Sequence, residues 1–185
     1  MFSAFMFVIA LAPAAAPLFA AVFIARVVFE WAAAGKSVRQ ENGVRIIEDP
    51  DMGENATAHI RTVVVGPNAS RAILEHEKAH VERRHLLKYT AAQALLVGLV
   101  AALGMLAPAQ DVAAAVGAGG YLIAHFALPQ LSRQQENEAD AIASERVGTE
   151  YTNMLEQEQH QAPEWAFTDP DQSHPGFQQR KEALL

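Results

Sequence analysis

Three long runs without a formal charge constrain this chain more than any other feature of its sequence. They are residues 2–25, 89–107 and 112–131. At about 1.5 Å of rise per residue, each run has about the length of a helix that crosses a bilayer, which takes about 20 residues. The segments between them are dense in Glu, Gln, Arg and Asp, so the overall hydrophobic fraction of 51% hides a strong segregation. The pattern predicts a membrane protein with three transmembrane helices.

The first run has a competing interpretation as a cleaved signal peptide. No Lys or Arg precedes it, whereas a signal peptide normally begins with positive charge. Pro13 and Pro17 would bend a membrane helix rather than end it, because neighbouring helices can satisfy the freed carbonyl groups. We therefore predict a transmembrane helix within residues 1–29 that leaves the membrane at Arg26.

Positive charge predicts the orientation of these helices. The turn at residues 108–111 carries no Lys or Arg, whereas the basic residues near the membrane lie on the opposite side of the three-helix topology. Those residues are Arg26, Lys36, Arg39, Arg45, Lys88 and Arg133. Since cytoplasmic segments carry the excess of Lys and Arg, we expect the polar regions in the cytoplasm and the N-terminus outside.

Composition also excludes some functions. The formal net charge of −7 argues against a nucleic-acid partner, because phosphate binding requires a basic surface. The chain has no cysteine, so neither a disulfide nor a thiolate metal site can form. Metal ligands, if there are any, must come from His, Asp and Glu.

His76, Glu77 and His80 form an H-E-x-x-H motif within a segment that reads as a helix. A four-residue step returns to nearly the same helix face, so both imidazoles can bind one ion, with Glu77 beside them as a base. Zinc in such a site needs a third protein ligand and an open position for water. The alternative is a solvated, charged helix, in which Lys78 and Glu82 would pair.

Glu136 and Asp140 lie just beyond the third apolar run and also share a helix face. This spacing suits a metal-binding carboxylate followed by a second carboxylate that orients an imidazole ligand. Once the hairpin of residues 89–131 is folded, Glu136 emerges on the same side of the membrane as the H-E-x-x-H motif. The sequence therefore predicts Glu136 as the third metal ligand.

The polar region between the first run and the motif predicts a small β-sheet. Residues 44–48 and 57–65 carry β-branched side chains and read as two strands joined by a loop at residues 49–55. The second strand has two equal interpretations, a core strand and an edge that pairs with a peptide substrate. Asn68 or Ser70 is expected to cap the motif helix, and residues 141–155 are expected to be helical.

Three segments of the sequence together resemble a known family. His76-Glu77-Lys78-Ala79-His80, a hydrophobic hairpin and then Ser132-Arg133-x-x-Glu136-x-x-Ala139-Asp140 are similar to the HtpX-like membrane zinc metalloproteases, relatives of the CAAX prenyl endopeptidases. The C-terminal element His174-Pro175, with Arg180 after it, also matches. The resemblance covers residues 68–185. The chain departs from the family in having Ala79 before the second histidine, Ser173 before His174 and a single predicted span before the motif.

The resemblance implies a role for each matching residue. His76, His80 and Glu136 would bind one Zn²⁺ per chain, Glu77 would be the base, and Asp140 would orient a ligand. His174, Arg133 and Arg180 are the candidate donors to the oxyanion of the transition state. The implied location is the bacterial inner membrane, with the active site on the cytoplasmic side.

We therefore expect a mainly α membrane protein with three transmembrane helices, a zincin-like helical catalytic core of gluzincin type and a small β-sheet. The expected regions are 1–29 (transmembrane helix), 30–88 (sheet and motif helix), 89–131 (transmembrane hairpin) and 132–185 (third ligand and His-Pro element). The expected function is cleavage of membrane proteins or peptides near the bilayer, as in quality control. The alternatives are a non-proteolytic zinc-binding membrane adaptor and a sensor protease with one partner substrate.

Overall fold

The computed structural model describes residues 20, 23–30, 32, 39–161, 177–182 and 184. Residues 23–30 are helical. Most of the predicted first transmembrane helix, at residues 2–25, lies outside the described residues, as does His174.

The described part of the chain is mainly helical with one small mixed sheet, as the sequence predicted. The strands are β1 (Arg39–Glu41), β2 (Val44–Glu48), β3 (Ala56–Ala58) and β4 (Thr62–Val65), with a short 3-10 helix at Pro50–Met52. The helices that follow are α1 (Arg71–Glu82), α2 (His85–Leu106), α3 (Gln110–Val147), α4 (Thr149–Gln161) and α5 (Phe177–Glu182).

The sheet has the strand order β1-β2-β4-β3, in which β2 and β4 run parallel and both outer pairs run antiparallel. Asn42 and Gly43 connect β1 to β2, and both have positive φ angles of 50° and 82°. Positive φ at both positions is characteristic of the tight hairpin turn that Asn-Gly favours. The Asn-Gly pair is thus a hairpin signal in the sequence, although β2 was predicted and β1 was not.

The prediction of one strand over residues 57–65 is wrong, because the chain reverses at residues 59–61. The backbone N–H of His59 donates to the carbonyl of Thr62, and β3 folds back antiparallel on β4. The buried Glu30 carboxylate accepts hydrogen bonds from the backbone N–H of Arg61 and the hydroxyl of Thr62. A residue distant in sequence therefore stabilises a turn that lacks Gly and Pro.

Helix α1 lies between two apolar clusters. On one side it packs against the sheet through Leu74 and Val81, which join a cluster that includes Val44, Ile46 and Val63. On the other side Ala72 packs with three buried residues of α3 and α4, which are Ala143, Tyr151 and Leu155. Because both faces are covered, the orientation of α1 is set by the packing of the whole domain.

Helices α2 and α3 form the predicted apolar hairpin. Both are long and apolar enough to cross a membrane, by length and composition. The helices approach closely at Gly120, where an added Cβ would overlap the side chain of Val100. Gly98, by contrast, has open space around it. The close contact that small residues permit is therefore made at Gly120.

Helix α3 continues without interruption from the apolar hairpin into the polar segment that carries Glu136 and Asp140. It ends at Gly148, which has a φ of 59° and donates its N–H to the carbonyl of Ser144. Residues 141–155 are therefore helical, as predicted, apart from a break at Gly148 that divides them between α3 and α4. The second helix of the apolar hairpin and the third candidate ligand thus belong to one continuous helix.

Candidate metal centre

The first two candidate ligands lie on α1. The Ser70 hydroxyl caps this helix by accepting from the N–H of Ile73, one of the two predicted caps. His76 and His80 follow four residues apart on the face that points toward α3. His76 is 8% exposed, so the site lies at a partly enclosed surface.

Glu136 on α3 completes a group of three side chains that could hold a metal ion. The Nε2 atoms of His76 and His80 are 3.1 Å apart, and each lies 3.5 Å from a different oxygen of Glu136, Oε2 for His76 and Oε1 for His80. Bonds of 2.0–2.1 Å in a tetrahedral site place neighbouring ligand atoms about 3.3 Å apart. The spacing of the two nitrogens therefore suits ligation of one tetrahedral cation, and a carboxylate oxygen of Glu136 lies close enough to each nitrogen to join them. Two imidazoles with a carboxylate are a donor set that zinc accepts.

The charge around His76 favours a cation as well. Burial alone would lower the pKa of His76, but hydrogen bonds with the carboxylates of Asp140 and Glu136 outweigh it and raise the pKa to about 9. The surroundings thus stabilise a positive charge at this imidazole. A bound metal cation would supply the same charge.

Asp140 holds the outer side of the His76 ring. Its Oδ1 atom lies 3.0 Å from His76 Nδ1, and the hydroxyl of Tyr151 is within 2.9 Å of the same nitrogen. The Asp140 side chain is completely buried, yet Arg180 on α5 donates two hydrogen bonds to it. Burial would raise the pKa of Asp140, but Arg180 and His76 lower it to about 2. Asp140 is therefore an anion that can orient His76 with its Nε2 toward Glu136.

A second chain of contacts reaches His80. The Nδ1 atom of His80 lies 3.0 Å from Nδ1 of His85, and Nε2 of His85 lies 3.0 Å from Oε2 of Glu138. His85 is 2% exposed and begins α2, while Glu138 lies on α3 between Glu136 and Asp140. Glu138 thus pairs with His85 and Arg83 and is not one of the three candidate ligands.

Glu77 lies beside this group in an open cleft of about 390 Å³. Burial raises the pKa of its carboxyl above the usual value, although a backbone hydrogen bond from Ala58 acts in the opposite direction. The edge strand β3 borders the same cleft through Thr57 and Ala58. The cleft therefore brings together a carboxylate, a candidate metal group and a strand edge.

The other predicted site residues have different surroundings. The guanidinium of Arg180, a candidate donor to the oxyanion, binds Asp140 and the hydroxyl of Tyr151. Arg133 lies partly buried one turn before Glu136, and its Nε atom has no hydrogen-bond partner among the described residues. His174 lies outside the part of the chain that the structure describes.

Sequence reasoning missed Tyr151 and His85. Tyr151 follows the Gly148 break, and nothing local in the sequence distinguishes it from another buried aromatic. His85 is five residues after His80 and would lie on a different face of an unbroken helix. The density of histidine in this segment was the only signal that could have indicated its role.

Comparison with known proteins supports the metal centre. Residues 57–185 match the sequence model of peptidase family M48. The matched region begins at β3, covers well over half of the chain and contains every candidate ligand, Glu77, Asp140 and Arg180. No curated protein and no solved structure matches the chain.

Proposed function

The chain belongs to peptidase family M48, and we propose that it is a membrane-embedded zinc endopeptidase that cleaves membrane proteins or peptides near the cytoplasmic face. Membership of this family makes it a metallopeptidase in general terms. One observation carries the finer proposal: His76, His80 and Glu136 converge at metal-ligand spacing with Glu77 beside them.

The residues divide the chemistry in the following way. His76, His80 and Glu136 would hold zinc, which when bound would acidify a water molecule and polarise the scissile carbonyl. Glu77 takes the proton of that water on its carboxylate and transfers it to the leaving amine. A raised pKa suits this role, because the carboxyl must both accept and release a proton.

Asp140 and Arg180 act as support for the ligand set. Asp140 keeps the Nε2 atom of His76 directed at the metal, and Arg180 neutralises the buried Asp140 charge. Since the Arg180 guanidinium is already bound there, we propose His174 or Arg133 as the donor to the oxyanion.

The edge strand β3 supports an extended peptide as the substrate. Within the described residues β3 pairs with β4 on one side only, and its other side borders the cleft beside Glu77. A substrate strand that pairs with β3 would be bound through main-chain hydrogen bonds, which depend little on side-chain identity. This arrangement suits a protease that acts on many sequences.

The surfaces of α2 and α3 support a location in the bilayer. Large apolar side chains on these helices are strongly exposed, among them Leu95 at 75%, Leu106 at 80% and Phe126 at 66%. A helix in the core of a soluble protein would bury such residues, whereas lipid covers them at no cost. The absence of Lys and Arg from the turn at residues 108–111 favours a cytoplasmic active site. The resemblance to the HtpX-like proteases implies that the membrane is a bacterial inner membrane.

The decisive experiment compares the detergent-solubilised protein with its Glu77→Gln variant. Zinc stoichiometry and cleavage of casein, or of the protein itself, are measured on both. We expect one zinc per chain in each and cleavage only by the parent, because the substitution removes the base and none of the ligands. Near-normal turnover by Glu77→Gln would contradict the mechanism, and zinc binding without cleavage by the parent would favour the non-proteolytic adaptor.

A further inference from the structure

We propose that His85 and Glu138 form a positioning chain that holds the imidazole of His80 in the orientation required for metal binding. The inference rests on the proposed zinc site and extends it to the second ligand histidine. His76 is oriented by Asp140, and His80 is oriented by Glu138 through His85. Each candidate ligand histidine thus has its own carboxylate on α3.

The backbone between α1 and α2 brings His85 to His80. On a continuous α-helix, residues five apart are separated by about 140° around the axis, so these two rings would point in different directions. Arg84 interrupts the helix with a left-handed conformation, with φ at 57°. The two ring centroids then lie 4.9 Å apart in an edge-to-face arrangement. A non-glycine residue adopts this conformation at an energetic cost, which the surrounding contacts must offset.

The hydrogen-bonding chain has one consistent direction when Nε2 of His80 binds a metal. The proton of His80 then resides on Nδ1 and is donated to Nδ1 of His85, which must accept. His85 in turn carries its proton on Nε2 and donates it to the carboxylate of Glu138. Every donor has an acceptor, and the chain selects the tautomer of His80 that leaves Nε2 free for the metal.

The outer end of this hydrogen-bonding chain, at Glu138, lies at the protein surface. Glu138 is 41% exposed and forms a second ion pair, 3.1 Å long, with Arg83 in the connection between α1 and α2. Its carboxylate therefore joins α3 to the residues that precede α2. His85, which is buried, and Glu138, which is exposed, can be substituted singly and together, so a double-mutant cycle can measure their coupling.

The test measures the zinc dissociation constant of the detergent-solubilised full chain by competition with a chelating dye. Removal of an outer partner of a ligand typically weakens metal binding by about 10- to 100-fold. We expect losses in this range for His85→Phe, which keeps the ring volume, and for Glu138→Ala. We expect His85→Gln to recover much of the affinity, because an amide offers both an acceptor and a donor. Glu145→Ala, an exposed position on the same helix, is the control and should bind like the parent.

The double variant His85→Phe with Glu138→Ala separates positioning from general structural support. If the two residues act through one hydrogen-bonding chain, the zinc affinity of the double variant should be about that of the single variant with the lower affinity. Losses that multiply, or a lowered melting temperature of the metal-free protein with unchanged zinc affinity, would overturn the proposal. If the parent binds zinc and every variant binds zinc equally well, the positioning chain is wrong while the proposed zinc site stands. Parent protein that binds no zinc overturns the proposed function itself.

Discussion

Replacement of Arg180 by Met should remove a buried ion pair that supports the candidate metal centre. The guanidinium donates from Nε to Asp140 Oδ2 at 2.7 Å and from Nη2 to Asp140 Oδ1 at 2.8 Å. The Asp140 side chain is completely buried, and that of Arg180 is 13% exposed. Met retains most of the apolar stem but removes the guanidinium, and leaves His76 and the Tyr151 hydroxyl as the remaining partners of the carboxylate.

The magnitude follows from the burial of the pair. Removal of one partner from a buried ion pair typically costs about 3–5 kcal/mol, because the other charge loses that partner in a poorly solvated site. For a chain of this size each kcal/mol lowers the melting temperature by about 2–4 °C. Arg180→Met should therefore melt about 6–20 °C below the parent.

The neighbouring Lys181 supplies a matched control on the same helix. Its ammonium group pairs with Glu156 at 3.0 Å, nearly the same distance, but the two side chains are 37% and 54% exposed. Exposed pairs contribute about 0–1 kcal/mol, so Lys181→Met should shift the melting temperature by less than about 4 °C. Thermal unfolding of the metal-free protein in detergent, followed by circular dichroism, measures both. Similar shifts for the two variants would refute the reasoning from burial.

Four further predictions address the site, the fold and the topology. Glu136→Ala should lose zinc, as measured by metal analysis after dialysis, and parental zinc affinity would exclude Glu136 as the third ligand. Glu30→Gln should destabilise the protein by about 1.5–3 kcal/mol at neutral pH, because the carboxylate accepts hydrogen bonds from Arg61 and Thr62 and pairs with Arg45. Burial would raise the pKa of Glu30, but these partners lower it below 4.5, so its contribution is complete above about pH 4.5 and is lost as the pH falls through the lowered pKa. The difference in melting temperature between parent and variant should shrink in that range, and a constant difference would contradict the linkage. Cysteines introduced at residues 108–111 should react with an impermeant thiol reagent from outside the cell, and labelling near Lys36 instead would reverse the orientation. His174→Ala separates three roles of His174: a reduced kcat with zinc retained supports a donor to the oxyanion, raised basal activity supports a residue that occupies the open zinc position, and a change in thermal stability alone supports a structural His-Pro turn.

Several elements could be predicted from sequence because their determinants are local. The spacing of His76 and His80 predicts a shared face once the segment is helical, and Ser70 caps that helix through a contact three residues away. The β-branched residues of β2 and the charge-free runs of α2 and α3 also carry their own signals. Glu136 and Asp140 belong in this class, since both lie on one face of one helix.

Other features were decided by contacts between residues far apart in the chain. The reversal between β3 and β4 contains neither Gly nor Pro and is stabilised by the carboxylate of Glu30. The left-handed conformation of Arg84 has no local signal, yet it brings His85 to His80. Local sequence reports the preferences of a segment for helix or strand, whereas long-range packing can impose a less favoured backbone conformation. The motif residues were therefore readable in the sequence, while the side chains that contact them, His85 and Tyr151, became recognisable only when α1, α2, α3 and α4 were packed together.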